Sequence, residues 1–376
     1  MTDPASANGS KTAVIAAGGT GGHLFPAAAF AQELQARGWR VVLITDVRGR
    51  RYAKDFPAAA VHDIPAATIQ GANPFKAAGA ALTIWKGIAA AKKLLTELDP
   101  RVVAGFGGYP SLPALFAAKD QRRPILIHEQ NAVLGRVNRL FANDAAVVAC
   151  GFDRLDRLPA SALSRKVVTG NPVRPPILAA RAQPYPALPA GGEIRILVIG
   201  GSQGARILGV SVPAAIERLA IPLRARLLIT QQAREEQTPE VQALYAKMGV
   251  RAEVQAFFSD MGPRLAATHL VIARAGASTV TELQAVGRPS ILVPLAIAAD
   301  DHQTANADSL VSVGAADIAL ETQGEEALTQ SLTGFLAQRL SDPHGLSVRA
   351  AAARSAGKPE AAKHLADIAE SMSNAA

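Results

Sequence analysis

Two apolar runs, each ending in a glycine-rich turn that leads into a helical pattern, constrain the fold more than any other feature of the sequence. Residues 12–17 run into the glycines at 18–22, and residues 194–199 run into those at 200–204. Strand, turn and helix in this order begin a βαβ unit, in which crossover helices join parallel strands. Nine further short apolar runs predict the other strands: residues 41–45, 102–105, 125–128, 146–150, 166–169, 227–230, 254–256, 270–273 and 291–294. The sequence therefore predicts an α/β protein with mostly parallel sheets.

The length of 376 residues corresponds to about two domains, and the repeated strand–turn–helix start divides the chain accordingly. Prolines are dense over residues 172–192, which is typical of a linker. We expect two Rossmann-like, doubly wound parallel-sheet domains facing a cleft, over residues 1–175 and 176–344. The alanine-rich helical stretch at 345–376 is expected to pack back on the first domain. One long doubly wound sheet is the alternative, which the proline-rich stretch disfavours.

Charge is distributed unevenly along the chain. Residues 1–175 contain 22 basic and 12 acidic side chains, a net charge of +10, whereas residues 176–376 contain 17 and 19, a net charge of −2. The basic half suits an anionic partner, which can be a phosphorylated ligand, a membrane surface or nucleic acid. Aromatic residues make up only 5% of the chain and no base-reading motif occurs, so nucleic acid is not expected as a partner.

The single cysteine, Cys150, allows neither an intramolecular disulfide nor a cysteine-based zinc site, and it fits a reducing, cytoplasmic setting. No signal peptide is expected, since residues 1–10 lack a basic stretch followed by an apolar one. No apolar run reaches the ~18 residues that a membrane-spanning helix requires. These patterns predict a soluble protein that can still bind to a membrane surface.

The glycine-rich turn at residues 18–22 suits a phosphate group, because backbone without β-carbons approaches closely and a helix start offers N–H groups. The turn lacks the dinucleotide pattern G-x-G-x-x-G, since Leu24 stands where the last glycine is required. NAD binding stays open as an alternative, with Asp46 in the place of a ribose-binding acid. Neither glycine-rich turn contains the lysine of a P-loop.

Glycines and polar residues follow three strands of the first domain, at residues 18–22, 105–111 and 128–131. The carboxyl ends of parallel strands form the ligand crevice of such sheets, so these three loops predict a binding floor. His23, at the start of the first helix, and Glu129 are competing candidates for a general base. A hydrogen-bonding role at the helix start is the alternative for His23.

In the second half, Ser278, Thr279 and Glu282 lie where a strand passes into a helix. One interpretation is a helix capped by its own side chains. The other is a donor phosphate at the helix start, with Glu282 holding ribose hydroxyls. Asp300 and Asp301 could bind a divalent metal, but adjacent carboxylates chelate poorly, so hydrogen bonding to a sugar is favoured and no metal is expected.

Seven motifs in order carry a family resemblance: GGTGGH at 18–23, GGY at 107–109, HEQN at 128–131, GNPVR at 170–174, GGSQGA at 200–205, GAST at 276–279 and DHQ at 301–303. Together they resemble the MurG family of bacterial N-acetylglucosaminyltransferases over about residues 12–306. The resemblance implies a GT-B fold. It also implies inverting transfer of GlcNAc from UDP-GlcNAc to the C4 hydroxyl of MurNAc in lipid I (undecaprenyl-pyrophosphoryl-MurNAc-pentapeptide), which forms lipid II for peptidoglycan, cell wall biogenesis and cell division.

The same resemblance implies metal-independent chemistry and a peripheral location on the cytoplasmic face of the cell inner membrane, with lipid I, UDP-GlcNAc and the anionic membrane surface as partners. Other cell-wall synthesis proteins are open as further partners. A related GT-B enzyme with another UDP-sugar or acceptor is the alternative, because specificity depends on a few hydroxyl contacts.

Roles of single residues follow from the resemblance as well. Ser202 would lie at a donor phosphate, Asn131 near the transferred sugar, and Phe258 at the uracil through backbone groups. Glu282 would bind the ribose and Gln303 the GlcNAc hydroxyls. The implied UDP-GlcNAc-binding residues are Thr20, Gly21, Gly22, Asn131, Arg174, Ser202, Phe258, Ala277, Ser278, Thr279, Val280, Thr281, Glu282 and Gln303. Assigned to the acceptor are Gly107, Gly108, Tyr109 and His128.

Residues 68–95 form a basic, apolar segment that suits an interfacial membrane patch. The segment contains four lysines and no acid, together with large apolar side chains: Lys76, Lys86, Lys92, Lys93, Phe75, Leu82, Ile84 and Trp85. Lysines beside apolar and tryptophan side chains favour binding to anionic lipid. An ordinary amphipathic core helix is the alternative.

Overall fold

The structure is a computed structural model that describes residues 11–18, 21–50, 53–68, 74–201, 204–296 and 301–375. The chain divides into two compact units. The first unit comprises Met1–Arg174 and Glu360–Ala376, and the second unit comprises Pro175–Pro359. Each unit is built around its own parallel sheet.

Seven described strands form the sheet of the first unit: β1 (Thr12–Ala16), β2 (Arg40–Thr45), β3 (Ala60–Asp63), β4 (Val102–Gly105), β5 (Ile125–Glu129), β6 (Val147–Cys150) and β7 (Lys166–Val168). Their order is β3–β2–β1–β4–β5–β6–β7, and all neighbouring pairs are parallel. The chain places β2 and β3 on one side of β1 and then β4 to β7 on the other side. In such a sheet the loops at the carboxyl ends of β1 and β4 flank the ligand crevice.

Six described strands form the sheet of the second unit: β8 (Ile194–Ile199), β9 (Leu227–Gln232), β10 (Arg251–Gln255), β11 (Leu270–Ala273), β12 (Ser290–Leu292) and β13 (Ala316–Ile318). The strand order is β10–β9–β8–β11–β12–β13, which follows the same pattern as the first sheet, and all neighbouring pairs are parallel. The prediction of two doubly wound parallel sheets is therefore confirmed.

Helices connect the strands and cover the sheets. They are α1 (Gly21–Ala36), α2 (Val47–Arg50), α3 (Pro74–Leu98), α4 (Leu112–Asp120), α5 (Arg136–Phe141), α6 (Pro175–Arg181), α7 (Arg206–Glu217), α8 (Ile221–Arg224), α9 (Thr238–Lys247), α10 (Met261–Ala267), α11 (Ala277–Val286), α12 (His302–Val311), α13 (Glu325–Leu340), α14 (Pro343–Ala356) and α15 (Ala361–Ala375). Within the described ranges, none of these helices is both long enough and apolar enough to span a membrane.

Each of the eleven predicted strands overlaps an observed strand, whereas β3 and β13 were not predicted. Both are short strands at an edge of their sheet, and most of their residues are only partly buried. An edge strand needs no continuous apolar run, because one of its sides lacks a neighbouring strand. The apolar signal that identifies central strands is therefore weak in β3 and β13.

The prediction that residues 172–192 form a linker is wrong for part of this stretch. Helix α6 begins at Pro175 and packs against α10 and α11 inside the second unit. Prolines are well suited to the first turn of a helix, where their missing N–H would have no intrahelical partner. At Gly262 of α10, a β-carbon would lie 2.5 Å from the carbonyl oxygen of Pro176, so the contact requires glycine.

The C-terminal stretch does not pack as one piece, contrary to the prediction for residues 345–376. Helix α14 packs on α11 in the second unit, and the chain changes unit after Pro359. Only α15 joins the first unit, where Leu365, Ala366 and Ala369 are buried in the apolar core beside α1. Arg37, after α1, donates hydrogen bonds to Asp367 (2.6 Å) and other groups of α15.

Replacing Leu365 with alanine is expected to lower the free energy of unfolding of the first unit by about 2–4 kcal/mol, because a fully buried leucine is lost from a packed core. Both tryptophans, Trp39 and Trp85, belong to the first unit, so tryptophan fluorescence, excited selectively, follows that unit during urea titration. Leu163→Ala is the matched control, since Leu163 is 58% exposed in the same unit. Equal effects of the two substitutions would contradict the docking of α15.

Candidate active site

The imidazole of His23 lies against the glycine loop that follows β4. Gly107 and Gly108 have φ angles of +84° and +76°, which strongly favour glycine. A β-carbon on Gly108 would lie 2.9 Å from the carbonyl oxygen of Gly18 and 3.3 Å from the His23 ring. The two glycines, predicted to contact the acceptor, therefore also create the space in which His23 sits. His23 itself is partly exposed in the first turns of α1.

A chain of hydrogen bonds leads from His23 into the interior of the first unit. His23 Nδ1 lies 2.8 Å from Gln130 Oε1, and Gln130 Nε2 lies 3.0 Å from His128 Nδ1. His128 Nε2 in turn lies 3.1 Å from the carbonyl oxygen of Gly170. The sequence motif HEQN contained Gln130, but sequence reasoning gave it no role. Its spacing of two from His128, at the end of a strand, was the available signal.

His128 lies inside the protein rather than on a ligand-binding surface. Its side chain is fully buried, and its ring packs 5.1 Å from the ring of Phe106. Burial lowers the pKa of His128 to about 4, so the imidazole is neutral at higher pH. Both ring nitrogens of His128 bond within the protein. A contact between His128 and the acceptor stays a prediction.

Glu129 holds the loop that follows β5. Its carboxylate, almost fully buried, accepts hydrogen bonds from the Asn131 backbone N–H (3.1 Å) and the Asn131 amide (3.2 Å). It also accepts from the Gly135 N–H (2.9 Å) and the Asn138 amide (2.8 Å). Four donors on two oxygens satisfy the carboxylate, so it is placed to orient Asn131, the residue that the resemblance assigns to the transferred sugar.

Tyr109 takes part in a polar cluster at the end of β2. Its hydroxyl donates to Asp46, and the Nε of Arg48 donates to that hydroxyl (2.9 Å). The Arg48 guanidinium also lies 5.0 Å from the centre of the tyrosine ring. Burial and the hydrogen bond to Asp46 raise the pKa of Tyr109. Asp46, which also accepts from the Gly49 N–H, is thus occupied by protein groups and not presented to a ribose, as NAD binding would need.

Two further residues that the resemblance assigns to the donor, Gly21 and Arg174, both lie beside the ring of Phe25 at the start of α1. Gly21 is buried, and a β-carbon there would lie 2.9 Å from the ring of Phe25. The guanidinium of Arg174 lies 4.6 Å from the centre of the same ring. Gly22 is exposed beside His23. Thr20 lies outside the described residues.

In the second unit, α11 begins without a side-chain cap. Gly276 occupies the cap position, so the predicted capping by Ser278 or Thr279 does not occur. The Ser278 hydroxyl is buried and has no hydrogen-bond partner in the described part of the chain. Ala277, Val280 and Thr281 are buried against the unit, and Glu282 follows in the second turn. A helix start of this kind can bind an anion through its N–H groups and dipole.

The loop after β12 is fixed by a buried arginine. Arg274 donates to the carbonyl oxygens of Val293 (3.1 Å) and Pro294 (3.2 Å) and pairs with Glu321 at 2.7 Å. Gln303, predicted to contact GlcNAc, accepts a hydrogen bond from the Leu295 N–H (3.0 Å). The loop and the start of α12 are therefore held together. Ser202, by contrast, lies outside the described residues.

Phe258 turns its side chain inward, where the guanidinium of Arg264 lies 4.2 Å from its ring centre. Arg264 is held by ion pairs to Glu253 (2.6 Å) and Asp260 (2.7 Å). With the ring buried, the backbone is the part of Phe258 that can contact a base. Among the described residues, no group of three or more His, Cys, Asp or Glu side chains could hold a metal ion.

Comparisons with known proteins agree with this architecture. Residues 13–150 match the glycosyltransferase family 28 N-terminal domain, and residues 195–365 match the glycosyltransferase family 28 C-terminal domain. A relative from Maricaulis maris is 53% identical over 95% of this chain and 96% of its own length. A relative from Caulobacter vibrioides is 49% identical over 96% and 99%, respectively. Both are called UDP-N-acetylglucosamine–N-acetylmuramyl-(pentapeptide) pyrophosphoryl-undecaprenol N-acetylglucosamine transferase.

Solved structures agree as well. MurG of Acinetobacter baumannii superimposes with a TM-score of 0.76 at 35% identity, covering 96% of this chain and 99% of that one. UDP-GlcNAc 2-epimerase from Neisseria meningitidis reaches a TM-score of 0.65 at 14% identity over 95% and 98%, which indicates a shared fold only. The chain therefore belongs to glycosyltransferase family 28 and, within it, to the MurG family.

Proposed function

We propose that this protein transfers GlcNAc from UDP-GlcNAc to the C4 hydroxyl of MurNAc in lipid I, with inversion, and so forms lipid II. The observation that carries the proposal is the 46–53% identity, over at least 95% of the chain, to relatives whose names state this donor and this acceptor. The second unit would bind the donor, and the first unit would bind the acceptor.

The start of α11 supports the donor half of the proposal. Negative charge develops on UDP as the bond to the sugar breaks, and a helix N-terminus stabilises such charge through fixed dipoles. The uncapped start at Gly276 and the buried Ser278 hydroxyl are suited to a phosphate. Glu282 would accept hydrogen bonds from the ribose, and Gln303 would contact the GlcNAc hydroxyls. Charge stabilisation of this kind needs no metal ion.

On the acceptor side, His23 is the general base in this proposal. Its Nε2 would take the proton of the C4 hydroxyl while the oxygen attacks the anomeric carbon. The bond from that carbon to UDP breaks at the same time, and its electron pair remains on the phosphate oxygen. The partly exposed imidazole of His23 is better placed for this step than Glu129, whose oxygens already accept four hydrogen bonds.

The exposed face of α3 supports peripheral binding to the cytoplasmic face of the inner membrane. Leu82 is 52% exposed and Trp85 is 65% exposed, whereas Ala91 and Leu95 on the opposite face are buried. The exposed face of α3 thus fits the membrane interpretation, and the opposite, buried face fits the core-helix interpretation. Lys86 and Lys93 are exposed on the same helix, where Lys93 lies 3.9 Å from Glu97, and Lys92 pairs with Asp120 at 2.7 Å. Lys76 and Phe75 lie where no side chains are described.

Substituting His23 with alanine is expected to lower kcat by about 100-fold or more and to change KM for UDP-GlcNAc little, because a general base acts in the transition state. The assay uses labelled UDP-GlcNAc and a lipid I analogue, in parallel reactions with and without EDTA. Wild-type protein should form product in EDTA. His364→Ala is the matched control, since His364 is exposed on α15.

Absence of product from wild-type protein under all conditions would contradict the proposed reaction, and product that disappears only with EDTA would contradict the metal-independent step. Near wild-type kcat in His23→Ala would remove His23 from catalysis.

Replacing Leu82 and Trp85 together with alanine is expected to weaken binding to anionic vesicles by about tenfold, because exposed apolar area no longer enters the interface. Flotation with vesicles of phosphatidylglycerol and phosphatidylethanolamine measures the effect. Leu163→Ala, which removes an exposed leucine elsewhere in the first unit, should float like wild type. Equal flotation of all three proteins would rule out this face as the membrane contact.

A further inference from the structure

The proton positions along the hydrogen-bond chain can be derived from its buried end. The carbonyl oxygen of Gly170 can only accept, so the Nε2 of His128, at 3.1 Å, must carry a proton. A neutral imidazole has one N–H, and full burial keeps this ring neutral above a pKa of about 4. The Nδ1 of His128 therefore has a lone pair and accepts a hydrogen bond.

Gln130 is fixed in one orientation by two acceptors. Its Nε2 lies 3.0 Å from the Nδ1 of His128 and 3.0 Å from the carbonyl oxygen of His128. Both amide hydrogens are used by these acceptors. The opposite orientation would place the amide oxygen against a carbonyl oxygen and a lone pair, with no hydrogen between them. The Oε1 of Gln130 therefore faces His23 and can only accept.

The outer end of the chain is then determined as well. The Nδ1 of His23, 2.8 Å from that oxygen, must donate, so the neutral ring has its lone pair on Nε2. Within the described part of the chain, Nε2 of His23 makes no hydrogen bond. The ring is also confined sterically by Gly107 and Gly108.

We infer that Gln130 and His128 are positioning residues that hold His23 in the tautomer protonated on Nδ1, so that Nε2 is ready to accept the proton of the acceptor hydroxyl. The inference rests on the proposed role of His23 as the base. A neutral imidazole in water prefers the opposite tautomer, in which Nε2 carries the ring proton. In that tautomer Nε2 has no lone pair with which to accept the proton of the acceptor hydroxyl. The chain from Gly170 to His23 therefore selects the reactive form before substrate binds.

The same arrangement suits the second half of the step. Once His23 has taken the proton it is an imidazolium with two N–H groups, and Gln130 Oε1 still accepts from Nδ1. No hydrogen bond in the chain has to reverse, so the interior does not reorganise during transfer. An amide differs here from the carboxylate of a serine protease, because Gln130 orients the ring without adding charge.

The tautomer can be read directly in full-length protein labelled with ¹⁵N-histidine, by long-range ¹H–¹⁵N correlation at a pH where the ring is neutral. His23→Ala identifies the His23 signals among the seven histidines. Wild type should show a protonated Nδ1 and an unprotonated Nε2. In Gln130→Leu the proton should move to Nε2 or distribute over both nitrogens, with kcat lowered by about 10- to 100-fold and KM for UDP-GlcNAc within about twofold.

Gln121→Leu is the matched control, since Gln121 is a partly buried glutamine of the same unit that bonds to Lys92 and Thr96 instead. It should keep the wild-type tautomer and kcat. A wild-type His23 protonated on Nε2 would overturn the inference, and this reading stands even if Gln130→Leu fails to fold.

Measuring both the His23 tautomer and kcat distinguishes failure of the positioning role from failure of the proposed function. If the tautomer changes in Gln130→Leu while kcat does not, the positioning role is overturned together with the role of His23 as base. If wild type has the expected tautomer but transfers no GlcNAc, the proposed function fails while the proton arrangement is retained.

Discussion

The hydrogen bond from the buried ring of His128 to the carbonyl oxygen of Gly170 is the constraint on which the first unit's site depends. It joins the end of β5 to the residues after β7, and it determines which nitrogen of His128 is protonated. From that point the orientation of Gln130 and the tautomer of His23 follow without further choice. Burial lowers the pKa of His128, because removal from water disfavours the charged ring, whereas the hydrogen bond to Gly170 opposes this shift. Burial of His128 thus determines which ring nitrogen is protonated in His23, which is partly exposed.

The two units position their functional groups by different interactions. In the first unit, hydrogen bonds and tight glycine turns position the imidazole of His23, and the carboxylate of Glu129 holds the loop that follows β5. In the second unit, the start of α11 offers backbone dipoles, and the ion pair between buried Arg274 and partly buried Glu321 holds an adjacent loop. We propose that the first arrangement activates a hydroxyl and the second stabilises a leaving pyrophosphate.

Much of the fold could be predicted from the sequence, because central parallel strands are continuous apolar runs and each unit begins with a strand that enters a glycine-rich turn. The edge strands β3 and β13 lack that signal, and α6 was hidden in a proline-rich stretch that resembles a linker. The site was predicted as a set of loops, but the sequence did not reveal that His128 and Gln130 form one hydrogen-bond chain with His23. Their roles depend on a contact with Gly170, some 40 residues away, and on burial that no local pattern reports. The sequence also left two interpretations of the start of α11 open, because residue types suited to capping were present, whereas Gly276 takes the cap position.

We propose that an acceptor hydroxyl, deprotonated by His23, displaces UDP in one step. The anomeric configuration of the product distinguishes this step from other routes, because the sugar is α-linked in UDP-GlcNAc and a single displacement inverts it. We expect a β linkage in the GlcNAc–MurNAc product, seen as a large H1–H2 coupling in its proton NMR spectrum. An α linkage would rule out a single displacement, since retention requires a second displacement or a different reaction path.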